Sequence, residues 1–379
     1  MRAPWPFFRI GLKLFPSPCS YIKLMEEKGH QFGKSDIPLV DSDDEAQEGA
    51  QQEFDAEGNP VPVRKDVEPL AAVDHSTVKY LEIEKNFYQE HPDIQALTPQ
   101  QVSELRKKFE IRVFGDDVPK VVDSFAHFGF DDALMQTIIR HGYTEPTAIQ
   151  KQAIPVALSG RDIIGIAKTG SGKTAAFLLP MFVHMMDQEE LNKGDGPIGV
   201  VVAPTRELCV QIYHEAKKFA KAYNIQVMAV YGGASKTEQF KDLRKGFTEL
   251  VVATPGRLID MVKMKATNLS RVSYVVLDEA DRMFDLGFEP QVRSILSNVR
   301  PDKQTLLFSA TFAKRIEKLA SEALTDPVRI TVGGVGEANS DVTQSFLILR
   351  REDDKWPWVW FSPFVPATGV TLVLIFLAW

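Results

Sequence analysis

The run Asp162–Phe177, DIIGIAKTGSGKTAAF, decides the fold. Ile163, Ile164 and Ile166 form a short, continuous apolar segment, the texture of a strand buried on both faces. Two glycines follow within a turn, Gly170 and Gly172, and then a helical pattern opens at Lys173. Glycine lets the chain turn tightly enough for successive N–H groups to face an anion, and the helix adds its positive end. Lys173 is placed to reach outer phosphates, and Thr174 to offer a hydroxyl to Mg²⁺. The usual loop pattern begins with glycine, but Ala167 stands there. Alanine is acceptable if that residue keeps an ordinary φ. Strand, loop and helix agree, which argues against a chance glycine–lysine turn.

From Phe125 onward, apolar runs alternate with helical patterns. Strands are expected at 162–167, 198–204, 226–232, 249–255, 274–280, 304–311 and 328–332. Between two of them, Leu208, Ile212, Ala216 and Phe219 fall on one helical face. The expected fold class is α/β, a parallel sheet with helices on both faces, as in P-loop nucleoside triphosphatases. In 274–281, YVVLDEAD, Asp278 ends a buried strand, where such sheets present ligands. It is suited to orient Mg²⁺, and Glu279 to align and deprotonate a water; alternatively both simply cap the next helix. Met283, Phe284, Leu286 and Phe288 are read as core.

These residues resemble the DEAD-box ATP-dependent RNA helicases, in the first RecA-like domain of that family. Asp278-Glu279-Ala280-Asp281 is the family's name motif. GYTEPTAIQ (142–150), with Phe125 upstream, resembles its Q motif. PTREL (204–208), Gly232-Gly233 and TPGR (254–257) resemble its RNA-side motifs, and SAT (309–311) its coupling motif. The resemblance covers roughly residues 100–345. It implies an ATP site of Phe125, Tyr143, Gln150, Ala167, Thr169, Gly170, Ser171, Gly172, Lys173 and Thr174, with Mg²⁺ held by Thr174 and Asp278. It implies catalysis by Glu279, Asp278 and Lys173, with RNA as the partner. The RNA face would comprise Pro204, Thr205, Arg206, Gly232, Gly233, Thr254, Pro255, Gly256 and Arg257. Taken alone, Arg206 and Arg257 read equally well as solvated charges.

The Gln150 amide can pair with adenine N6 and N7 together, with Tyr143 stacking on the base and Phe125 packing behind. Asp281, Ser309, Ala310 and Thr311 would couple the metal site to RNA; alternatively Ser309 and Thr311 cap the following helix. FAHFGFDDALM (125–135) and DQEELNKGDGPIGV (187–200) resemble a spliceosome-associated subgroup. That implies spliceosomal partners and the nucleus, with the cytoplasm as alternative.

The 379 residues are 44% hydrophobic and 25% charged, and the net charge is -7. There is no global basic footprint, so nucleic-acid contact must come from local patches and backbone amides. The two cysteines, Cys19 and Cys209, form no C-x-x-C pair. Seven scattered histidines without H-E-x-x-H give no expectation of zinc.

Residues 1–97 are read as a disordered acidic N-terminal region, although Arg2, Arg9, Lys13 and Lys23 at its start also fit a transit peptide. Residues 98–122 are a flanking helix, opened by Thr98 and Pro99, and a linker; 123–151 are the Q-motif region; 152–335 are the ATP-binding RecA-like domain. Residues 336–379 are a linker and apolar tail, with no second helicase domain read there. After Pro366 the tail is shorter than the roughly 20 residues a helical span needs, so a membrane is not an expected partner. The tail also reads as a cover for a domain surface or as out-of-frame sequence. A complete family member pairs two RecA-like domains. The alternative function is therefore a catalytically deficient ATP- and RNA-binding regulatory fragment.

Overall fold

The computed structural model describes residues 68–333. The readings of the basic N-terminus, the acidic run and the apolar tail lie outside these residues. Among those described, no helix is long and apolar enough to cross a membrane.

All seven expected strands form. They are β2 (Ile163–Ile166), β3 (Gly199–Val202), β4 (Val227–Val230), β5 (Leu250–Ala253), β6 (Tyr274–Leu277), β7 (Gln304–Ser309) and β8 (Val328–Val332). Each pair among them is parallel, and the sheet order is β1-β8-β2-β7-β6-β3-β5-β4. The alternation of side chains assigns each strand residue to one of two cores. Ile163, Val201 and Val276 face one layer with Ile154, Phe177 and Phe219, whereas Ile164, Val202 and Leu277 face another with Leu258, Ile295 and Leu319. Helices therefore cover both faces. One layer uses α4 (Ala148–Leu158), α5 (Lys173–Met186) and α6 (Arg206–Ala220). The other uses α8 (Pro255–Lys263), α9 (Ala280–Asp285), α10 (Glu289–Asn298) and α11 (Lys314–Ala323). Met283 and Phe284 are core as expected, but Leu286 is exposed, because α9 ends at Asp285.

Two expectations change. The sheet is not wholly parallel: β1 (Ile111–Phe114) pairs antiparallel with β8. It lies where the sequence reading passes from the flanking helix to a linker. The helix there, α2 (Pro99–Lys108), keeps the Thr98–Gln101 capping box but stops when Glu110 takes φ 55° and turns the chain. Residues 68–97, read as disordered, instead follow a defined path over the domain. The Leu70 amide donates to Ser294 Oγ at 2.7 Å, Phe87 N to Leu158 O at 2.6 Å, and the Arg300 guanidinium to Leu81 O. Arg300 is 1% exposed and lies 5.1 Å from the Tyr80 ring, so the segment covers a buried charge. The short helix α1 (Pro92–Gln95) follows within it.

Gly165 in β2 fixes the spacing to β7. A methyl group there would sit 2.4 Å from the Phe308 ring, which is fully buried and cannot swing away. Gly165→Ala is expected to destabilise the domain by about 1–3 kcal/mol through overpacking, as read by urea unfolding. An unchanged midpoint would show that the layer yields more easily than its packing suggests.

The register puts the functional loops together. Ile166 lies beside Ser309, and Val202 beside both Leu277 and Ala253. The loops after β2, β3, β5, β6 and β7 therefore leave one edge, the carboxyl end of the parallel strands, where α/β sheets bind ligands.

Candidate nucleotide and nucleic-acid site

The loop after β2 has the conformation its glycines allow. Gly170 has φ 79° and Gly172 φ 90°. Their surroundings differ. A Cβ on Gly170 would meet nothing within 4 Å, so that backbone faces open space. A Cβ on Gly172 would come within 2.6 Å of Gln150 Nε2 and 2.7 Å of Thr147 Oγ1. Gly170 is thus favoured by its positive φ alone, and Gly172 also by the side chains behind it. Ala167 has no positive φ, and its N–H donates to Ser309 O at 3.1 Å, so a glycine is not needed there. Thr169 and Ser171 lie within the loop, and Ser171 Oγ is buried without a hydrogen-bond partner. Lys173 opens α5, is 6% exposed, and donates from Nζ to Ala167 O at 3.0 Å, folded back across the loop. Half-buried Thr174 follows it.

Asp278 lies one residue beyond β6 and is 3% exposed. Burial pushes its carboxyl up to about 6, opposed chiefly by the positive charge of Lys173. Its Oδ1 accepts from Glu279 N at 2.9 Å. Glu279 adopts φ 49°, ψ 52°, left-handed backbone that a glutamate enters only at a cost of order 1–3 kcal/mol. Nothing in the sequence marked it, since glycine or asparagine is the usual occupant. Its carboxylate pairs with Arg282 at 3.4 Å.

Asp281, at the start of α9, holds the loop that contains Ala310. Its Oδ2 accepts from Thr311 N at 3.1 Å and from Thr311 Oγ1 at 3.0 Å, and its own N–H donates to Ser309 Oγ at 3.4 Å. The capping alternative fails: α11 is preceded by Ala313, with no side-chain cap.

Gln150 is 1% exposed and ties two loops. Its Oε1 accepts from Thr147 N at 2.9 Å, and its Nε2 donates to Gly172 O at 2.9 Å. One N–H and one lone pair remain for a ligand. The string Thr147-x-x-Gln150 has capping-box spacing, a signal that could have shown this bracket in advance. Phe125, 4% exposed, meets Tyr143 edge-on at 6.2 Å between centroids. Tyr143 also packs on Phe219 at 5.6 Å and donates its hydroxyl to Glu215. Burial, with Glu215, pushes that phenol well up. Glu215 was absent from the sequence reading.

On the other side of the edge, Thr205 caps α6 by accepting from Leu208 N at 3.3 Å. Pro204 before it is buried, and the Arg206 guanidinium lies 5.1 Å from the Tyr231 ring. Thr254 precedes α8 without making a side-chain capping bond, Pro255 is buried at its first position, and half-buried Gly256 and Arg257 complete that turn. Gly232 follows β4 and is exposed; Gly233 has φ 74°.

Residues 147–319 match the DEAD/DEAH box helicase family. The chain is 62% identical over 308 residues to the human ATP-dependent RNA helicase DDX42, covering 81% of this chain and 33% of that protein. It is 57% identical over 326 residues to DEAD-box ATP-dependent RNA helicase 24 of Oryza sativa subsp. japonica, 84% of this chain and 42% of that one. The chain thus spans about a third to two fifths of these relatives. Among solved structures, the yeast DEAD-box splicing factor Prp28 superposes with a TM-score of 0.62 at 33% identity, covering 65% of this chain and 58% of that one. The RNA helicase Prp28 from Chaetomium thermophilum, bound to ADP, gives 0.59 at 40% identity, covering 65% and 60%. The mostly parallel α/β sheet agrees with these likenesses, and residues 147–319 form a domain of the DEAD/DEAH box helicase family.

Proposed function

We propose that this chain supplies the ATP-binding domain of an ATP-dependent RNA helicase that remodels RNA duplexes. The observation that carries the reading is Lys173 folded into an empty-faced loop beside the buried Asp278 carboxylate. A triphosphate fits there: Gly170 leaves its backbone uncovered, and Ser171 Oγ lacks a partner. Lys173 would turn from Ala167 O to outer phosphate oxygens, exchanging a neutral bond for a charge-assisted one. Thr174 and Asp278 would hold Mg²⁺, an oxygen-ligand ion, which supplies charge neutralisation at the phosphates. Glu279, fixed by its left-handed turn, would orient the attacking water and accept its proton. Asp281 would pass the state of that site to Thr311 and the loop after β7.

For RNA, Thr205, Arg206, Thr254, Gly256 and Arg257, with the Gly232-Gly233 turn, would bind sugar and phosphate without reading bases. This accounts for RNA binding by a chain of net charge -7. Spliceosomal partners and a nuclear site of action are proposed as well, supported by the splicing-factor name of one structural neighbour.

The test is nucleotide selectivity by calorimetry, followed by hydrolysis with and without single-stranded RNA. ATP should bind more tightly than GTP. Gln150→Ala should weaken ATP about tenfold and narrow that difference, because one buried hydrogen-bonded contact is worth roughly 1–1.5 kcal/mol. GTP binding equal to ATP in the wild type would remove the adenine role of Gln150. ATP turnover indifferent to RNA in the whole protein would sink the helicase reading.

A further inference from the structure

We propose that His91, Asp93 and His127 form a zinc site that fastens the N-terminal segment to the turn carrying Phe125. The three side chains come from two parts of the sequence. His91 and Asp93 flank the start of α1, and His127 ends the short 3-10 turn Phe125–His127. One ligand atom from each lies within 4.8 Å of the others. His91 Nδ1 is 3.5 Å from Asp93 Oδ2, and His127 Nε2 is 3.5 Å from that same oxygen. Zinc bonds of about 2.0–2.1 Å in tetrahedral geometry place neighbouring ligand atoms about 3.3 Å apart. Two edges of the ligand triangle therefore already have close to the required length.

A second observation is independent of that spacing. His127 Nδ1 is buried and has no hydrogen-bond partner, yet Asp123 Oδ1 stands 4.0 Å from it. Zinc-bound histidines commonly donate their second ring N–H to a carboxylate, which fixes tautomer and ring orientation. With Nε2 toward the metal, Asp123 is in place for that role. The imidazoles stack with centroids 4.4 Å apart and planes at 24°. A small turn about Cβ–Cγ, a soft torsion, would shorten the remaining edge between the two ring nitrogens. His91 Nδ1 would then give up the 3.2 Å bond it accepts from Asp93 N. Two imidazoles and one carboxylate suit Zn²⁺ rather than Mg²⁺ or Ca²⁺, which favour all-oxygen sets. Zinc there would lock the 68–97 path beside Phe125, itself packed on Tyr143 at the adenine side.

The test titrates the full chain with Zn²⁺ by calorimetry and with Co²⁺ by visible absorption, without nucleotide. One equivalent should bind, Co²⁺ should give a tetrahedral d–d band, and Zn²⁺ but not Mg²⁺ should raise Tm and slow proteolysis within residues 68–97. His91→Ala and His127→Ala should each weaken Zn²⁺ at least about tenfold, and Asp123→Asn about tenfold, the usual effect of losing an outer carboxylate. Circular dichroism without metal checks folding, and His127→Gln replaces any variant that fails it. The proposal is overturned if no stoichiometric Zn²⁺ binds, or if folded His91 and His127 variants bind it as the wild type does.

Discussion

Lys173→Ala is expected to lower the affinity for ATP and for ADP by at least about 100-fold in a chain that remains folded. The ammonium lies buried in the loop after β2, 6% exposed, and donates to Ala167 O. Charge-assisted hydrogen bonds contribute about 1.5–3 kcal/mol each, and two decades of affinity correspond to about 2.7 kcal/mol. Losing one or two such bonds to phosphate accounts for the drop. The fold should tolerate the change. Alanine is a strong helix former at the first position of α5, and the Gln150 bracket on Gly172 remains. A further consequence is electrostatic. Lys173 is the main influence holding the Asp278 carboxyl down, so its removal raises that group further, toward a neutral acid at physiological pH. Calorimetry with ADP, beside circular dichroism of the same sample, makes the comparison. Undiminished affinity in a folded variant would mean that the loop is not a phosphate site.

The parallel strands were legible because they are buried on both faces: runs such as Val200-Val201-Val202 leave no polar residue to contradict the assignment. Their ends read too long, since residues such as Pro204 and Thr254 share the apolar context but belong to the turns. β1 was not legible. Ile111-Arg112-Val113-Phe114 is too short to stand out between a helix and a linker, and its pairing to Val332–Arg329 makes it a strand. The 68–97 path hides for a similar reason: its anchors, Arg300, Ser294 and Leu158, are far away in sequence, so local composition sees only charge.

The site followed the same division. Types and order of residues marked Lys173, Asp278 and Asp281 as candidates. The left-handed Glu279, the Glu215 partner of Tyr143 and the His91–His127 stack depend on backbone strain or long-range approach, which one sequence does not display. Gln150 stands between: its capping-box spacing was on the page, but its hold on Gly172 was not.

Asp278→Asn should separate stability from activity. The buried carboxyl titrates near 6 in the fold, against an ordinary value of 3.8. A carboxyl raised by folding stabilises the native state only while protonated there. In the wild type, stability from this group is intact below about pH 3.8, falls between 3.8 and about 6, and stays lost above. At 1.36 kcal/mol per unit, the loss is about 3 kcal/mol. Asparagine has the same shape, can still accept from Glu279 N, and never ionises. Without nucleotide or Mg²⁺, the variant should melt with the wild type at pH 4 and above it by roughly 6–12 °C at pH 7, at about 2–4 °C per kcal/mol for a domain of this size. Asp162, also raised by burial, titrates in both proteins and cancels in the difference. Activity should move oppositely. A neutral amide cannot balance a divalent ion, and RNA-stimulated ATP hydrolysis by a protein carrying this change should fall at least about 100-fold, in keeping with the several kcal/mol that metal-assisted charge stabilisation supplies. Parallel melting curves from pH 4 to pH 7 would show that Asp278 carries no burial penalty. Retained hydrolysis would show that the acid after β6 is not the metal's support.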